Sequence, residues 1–244
     1  MDGVLLLHAF PIDARMWEPQ LAAFDASGVP VVAPHLPGFG GTALDGDVMT
    51  MEAAAGRCLS ELDAAGVDRA VVCGLSMGGY VAFELWREAR DRFVGLVLAN
   101  TKAEADSPEA VTKRNELAER LLREGNVLVD NPPPLLAAGA SEDLWERVRG
   151  MIADQPAASI AAAALGMAAR TDSSGDLPGI DVPTLVITSD ADALIPADVT
   201  APMAERIPGA ELAKIAGAGH LTNLEASEEF DRLLEAHLRR SGLG

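Results

Sequence analysis

Short, unbroken apolar runs alternate with stretches of helical periodicity along most of this chain. The runs cover 4–7, 29–33, 70–74, 94–99, 184–188 and 210–215 and are rich in Val, Leu and Ile. A strand with one face in water alternates apolar and polar side chains. Continuous apolar character instead marks strands buried on both faces, as parallel strands are. Helical patterns lie near 13–24, 50–65, 77–89, 198–206 and 225–240. Strand and helix in repeated succession predict an α/β fold with a doubly wound, mostly parallel sheet of about six strands.

One interval breaks the rhythm. From 102 to 181 no good strand candidate occurs, and helical patterns cover 108–124, 142–153 and 157–170, with Asn131-Pro-Pro-Pro134 as a breaker. The run AASIAAAALGMAA is alanine-rich and a strong helix former. The stretch 171–183 reads as a linker back to the sheet. The expected organisation is a core made of 1–101 and 182–244, with 102–181 as a helical cap inserted between two strands of one sheet.

At 244 residues, one large domain with an insertion buries roughly 70–75% of its unfolded surface and needs no disulfide or metal. Cys58 and Cys73 sit in a helical pattern and an apolar run, where they read as buried thiols, and no metal-ligand spacing is present. The net charge of -18 opposes nucleic acid and anionic membrane surfaces alike. No apolar stretch approaches the roughly 18 residues of a membrane span. The start, MDGVLLLHAFP, has no basic segment before its apolar one, so no signal peptide is expected and the cytoplasm is the expected compartment.

Positions 74–79 read GLSMGG. With Gly at about 7% of an average chain, G-x-S-x-G arises by chance on the order of once in ten chains of this size, so context must decide. A strand ending at Gly74 and a helix starting near Met77 force a tight turn. Ser76 would sit there in strained backbone, its hydroxyl at the carboxyl edge of the sheet. The helix N-terminus behind it favours developing negative charge. The competing reading is a serine that only caps the helix.

A serine hydroxyl needs a base to act as a nucleophile. Four histidines are available. His237, beside Arg239 and Arg240 in the last helix, is expected at the solvated surface. His220 lies in IAGAGHLTNLE, a loop after the last strand, where sites form in open sheets. In LVITSDADALIP, Asp190 and Asp192 follow the fifth run. Asp192, further out and nearer the loop that must face His220, is the expected partner of the imidazole, with Asp190 as the alternative. The resulting chain order Ser, Asp, His is the one such a sheet favours.

Five motifs then stand in order: HAFP at 8–11, LPGFGGT at 36–42, GLSMGG, SDADALIP and GAGHLTNLE. Together they resemble the α/β-hydrolase fold superfamily over nearly the whole chain, and among its members the small carboxylesterase and enol-lactonase types. The resemblance implies Ser76 as nucleophile, Asp192 as acid and His220 as base. It places an oxyanion hole at the backbone N–H groups of Phe10 and Met77, and gives His8 the task of shaping that loop. Some relatives carry the acid where Asn100 stands; an amide cannot ionise, which favours Asp192. His35 holds a position that is often Asp and reads as a turn or packing residue. Two departures stand out. Ala9 replaces the usual glycine, and its methyl is expected to narrow the oxyanion pocket. The usual pair of antiparallel strands ahead of the first parallel one is missing.

Gly38-Phe-Gly40-Gly41-Thr42-Ala43 matches a dinucleotide fingerprint in letters only, because no helical pattern opens there. No cofactor and no metal are expected. The expected activity is cleavage of a small ester, thioester or lactone through an acyl-enzyme on Ser76, under a lid whose Trp145, Met151, Ile152, Leu165 and Met167 line the pocket. C–C bond hydrolysis, perhydrolysis and acyl transfer use the same three residues, and a slow or non-catalytic ligand receptor of this fold is the reading from a different class.

Overall fold

A computed structural model describes residues 1–243, Ala26 by its backbone alone. Six strands form one sheet: β1 (Asp2–Leu7), β2 (Val31–Val32), β3 (Arg69–Leu75), β4 (Phe93–Ala99), β5 (Thr184–Ser189) and β6 (Glu211–Ile215). Their order is β2-β1-β3-β4-β5-β6, and every neighbouring pair is parallel. No antiparallel strand occurs among the described residues. Each apolar run is thus a strand, but the second is only two residues long. Pro30 and Pro34 flank it, and a proline has no N–H to give a ladder. The central strand β3 is buried from Ala70 to Leu75, whereas edge strand β6 exposes Glu211, Leu212 and Lys214.

The helices are α1 (Glu18–Phe24), α2 (Met51–Ala64), α3 (Met77–Glu88), α4 (Pro108–Glu124), α5 (Glu142–Ala153), α6 (Ala157–Ala168), α7 (Ala197–Thr200), α8 (Pro202–Arg206), α9 (Thr222–Glu225) and α10 (Ser227–Arg240). Thr50, Ser107 and Ser141 start α2, α4 and α5, each hydroxyl accepting from the N–H three residues on. The single helix expected over 198–206 is two, because Pro202 ends α7 and opens α8. The last helix is likewise preceded by a separate turn, α9, with Ala226 at non-helical φ −132°, ψ 54° between them.

The chain winds from β1 outward to β2, then crosses back past β1 to β3 and continues to β6. Right-handed crossovers place helices made on the way out and on the way back on opposite faces. The contacts agree: α2 packs on α3, and α1 on α10. The reversal between β1 and β3 opens a crevice at the strands' carboxyl ends, where ligand sites of such sheets form. The loop after Leu7 and the turn after Leu75 both end there.

Segment 102–181 carries α4, α5 and α6 between β4 and β5. Helix α6 is buried on most of its surface and packs on α4. Its small side chains permit close approach; a Cβ at Gly166 would come within 1.8 Å of the Met49 carbonyl oxygen.

His237 is a correction to the surface position expected from its arginine neighbours. It is 3% exposed, because it falls on the buried stripe of α10 with Phe230, Leu234 and Leu238. Neither ring nitrogen has a hydrogen-bond partner among the described residues. Burial holds its pKa down to about 4.

Candidate active site

Ser76 follows β3 directly and precedes α3. Its backbone, φ 56° and ψ −115°, lies in a region that costs a non-glycine residue about 1–3 kcal/mol unless its surroundings hold it there. They do. The Ser76 N–H donates to Ala99 O at 3.0 Å, and its carbonyl accepts from Gly79 N–H at 2.9 Å and Thr101 Oγ1 at 2.8 Å. The flanking glycines make room: a Cβ at Gly74 would meet Gly78 O at 2.3 Å, and one at Gly78 would meet Leu7 O at 2.1 Å. The serine caps α3 by position but makes no side-chain cap bond, so the plain capping role is not what holds it.

His220 Nδ1 donates to Asp192 Oδ2 at 2.8 Å. Asp192 Oδ1 accepts from the N–H groups of Leu194, 2.8 Å, and Ile195, 3.0 Å, while Oδ2 also accepts from Asn100 Nδ2 at 2.9 Å. Burial pushes this carboxyl up, but the hydrogen bonds from His220, Ile195 and Asn100 outweigh it and hold it below the usual carboxylate range. Asp190 is turned away; it is exposed and accepts from Gly217 N–H at 2.7 Å. Of the two aspartates, Asp192 is the one that meets His220.

Asn100 has a part that the residue type alone did not signal. It is fully buried at φ 44°. Its amide also donates to Ser189 Oγ, 2.9 Å, and its oxygen accepts from Thr222 Oγ1, 2.8 Å. Asparagine tolerates left-handed backbone better than most residues, and here it ties the ends of β4 and β5 to the start of α9. Glu225 was a motif letter only. Its two oxygens accept from Gly219 N–H, 2.9 Å, and Ala137 N–H, 2.8 Å, and Leu221 N–H donates to Leu135 O at 3.0 Å. The loop bearing His220 is thereby fastened to segment 135–137.

His8 is fully buried. Its Nε2 accepts from Leu36 N–H at 3.0 Å, which leaves the proton on Nδ1, facing Ala9 O at 3.1 Å. Burial lowers its pKa to about 4, so it holds the loop as a neutral ring. His35 receives the Ala14 N–H on Nδ1 at 3.3 Å and packs under Gly40, a packing role. The Phe10 and Met77 N–H groups have no acceptor among the described residues; Met77 opens α3, where helix N–H groups lack intrahelical partners.

A cavity of about 550 Å³ is lined from the core by Phe10, Ser76, Tyr80, Leu194, Ile195 and His220, and from segment 102–181 by Lys102, Asp106, Lys113, Arg114, Leu117 and Met167, among others. Ser76 and His220 therefore share one cavity. Of the side chains expected to line it, Met167 does. Trp145, Met151, Ile152 and Leu165 do not; they pack against the hydrophobic core, with Met151 and Ile152 buried. Ala9 is fully buried and off the lining, so its methyl does not narrow the cavity.

Residues 4–233 match the Alpha/beta hydrolase family. The chain belongs to this family. It is 31% identical to a pimeloyl-[acyl-carrier protein] methyl ester esterase of Aromatoleum aromaticum, across 97% of this chain and 98% of that one. Among solved structures, a thermophilic esterase from Thermogutta terrifontis, with malate bound, superposes with a TM-score of 0.94 at 38% identity, covering 99% of this chain and 90% of that one. The enol-lactonase of Burkholderia xenovorans gives 0.86 at 28% identity, covering 98% and 91%. The α/β-hydrolase resemblance read from the five motifs is therefore correct, and the chain is a hydrolase of this fold. No helix among the described residues is long and apolar enough to cross a membrane.

Proposed function

We propose that the chain is a serine hydrolase cleaving small carboxylic esters, thioesters or lactones through an acyl-enzyme on Ser76. The observation that carries this is the buried Asp192–His220 hydrogen bond facing a cavity that Ser76 also lines. With Nδ1 engaged by Asp192, His220 Nε2 is the nitrogen left to take the Ser76 proton as Oγ attacks the carbonyl carbon. The same proton passes to the leaving oxygen as the C–O bond breaks. Water then enters, gives a proton to His220 and attacks the acyl carbon, releasing the acid and restoring the serine hydroxyl.

The unengaged N–H groups of Phe10 and Met77 suit the oxyanion that forms in each half, and loss of one such donor typically costs about 10²–10³ in rate. Segment 102–181 acts as the cap that walls the cavity. The methyl ester esterase and enol-lactonase among the relatives support the carboxylic ester class.

A fluorophosphonate probe tests the reading. It labels the protein at Ser76, and Ser76→Ala abolishes labelling and lowers kcat/KM for p-nitrophenyl butyrate by at least about 10³-fold. Labelling that survives the substitution refutes the proposal, and absence of both labelling and turnover in the unaltered protein favours a ligand receptor.

A further inference from the structure

The chain's net charge of -18 offers an anion no general attraction, yet the cavity reverses that sign locally. Lys102, Lys113 and Arg114 line it, against Asp106 as the one lining carboxylate. Asp106 is already shared. It pairs with Lys102 Nζ at 3.1 Å, with Arg170 Nη2 at 2.9 Å and with Arg114 Nε. The Asp106 and Arg170 side chains are only 2% and 4% exposed. One carboxylate among three cations leaves a positive excess in a half-dry corner, where uncompensated charge is costly. The Arg170 guanidinium lies 4.1 Å over the Tyr80 ring, which offsets part of that cost. Lys113 adds a further cation with no ion-pair partner among the described residues; Glu109, one turn earlier, is exposed and off the lining. Apolar side chains, among them Phe10, Leu117, Met167 and Ile195, also line the cavity that holds this corner and Ser76.

We propose that the preferred substrate is an ester or lactone with a second, free carboxylate, held by the Lys102–Lys113–Arg114 corner while its carbonyl meets Ser76. A short methylene chain between the two ends suits the apolar part of the lining. The proposal rests on the serine hydrolase reading above, and the test separates the two.

Monomethyl glutarate and methyl pentanoate differ in little but the distal charge, and titration of released acid follows both. The expected result is a kcat/KM at least about tenfold higher for the half-ester, with the preference shrinking as salt screens the corner. Lys113→Gln lowers the ratio of the two about threefold and Lys113→Glu, which reverses the charge, about tenfold, in keeping with a contact to an exposed cation. A ratio of one or less in the unaltered protein overturns the substrate class while leaving the hydrolase intact. Should neither ester be cleaved, the fluorophosphonate test alone decides the hydrolase reading, and calorimetry with glutarate decides the corner by itself. Binding that Lys113→Glu weakens sustains the carboxylate subsite; no binding overturns it.

Discussion

At the turn that carries Ser76, a methyl added to Gly74, Gly78 or Gly79 would approach a neighbouring atom to 2.3, 2.1 or 2.4 Å; at Gly139 and Gly150, in segment 102–181, nothing lies within 4 Å. The two sides of the cavity are built to different tolerances. On the core side, strand ends, glycines and the Asn100 network over-determine where Ser76, His220 and Asp192 stand. Reactions need that, since a misplacement of about 1 Å costs on the order of 10²-fold in rate. On the outer side, α4 presents charged side chains at the rim, and α5 faces water over much of its length. That surface is free to vary without disturbing the turn. Helix α6 follows the core pattern, given the tight seat of Gly166.

The comparison breaks most directly at Gly78. Gly78→Ala forces a methyl against backbone that has no room to move, and the expected loss is at least about 3 kcal/mol in urea unfolding. A cost below about 1 kcal/mol would mean that the turn yields and the contrast is false. His237 sharpens the core side by marking a flaw in it. Free in the unfolded chain it titrates near 6.5; folded, its pKa is about 4. Between those values the unfolded chain takes up a proton that the folded one refuses, so stability falls as pH drops from 6.5 towards 4. From pH 7 to pH 5 this histidine accounts for a loss of about 2 kcal/mol, and His8, with a similar value, for as much again. His237→Leu halves that histidine-linked loss, and an unchanged pH slope in the variant would show that the ring is not the titrating group. The smallest effect is at Gly150. On the exposed side of α5, Gly150→Ala raises stability by about 0.5–1 kcal/mol through helix propensity alone, with thermal unfolding as the measure; a loss there would place hidden contacts on the outer side.

The same division runs through what could be read from residue order. Strand runs and the helices over 108–124 and 142–153 were legible because their cause is local: apolar periodicity, a serine cap, a proline at the first turn. Ser76 was legible for a similar reason, since a serine between glycines at a strand–helix turn states its own geometry. Choosing between Asp190 and Asp192 took the order of motifs and then the hydrogen bond itself. His237 was readable in part, because its spacing from Phe230 and Leu234 places it on the buried stripe, but its arginine neighbours pointed the other way.

The lining of the cavity was not readable. Trp145 and Met151 look like pocket walls in composition, yet their faces turn into the core. Lys102, Asp106, Arg114 and Arg170 are spread over 102–170, and no local pattern announces that one carboxylate gathers three cations. By itself the amino-acid order determined the parallel sheet, the turn that bears the serine and the candidates for its partners, because each follows from neighbours in the chain. Only the tertiary structure decided which carboxylate meets His220, what Asn100 ties together and which charges face the cavity, because those depend on contacts between segments that are distant in sequence.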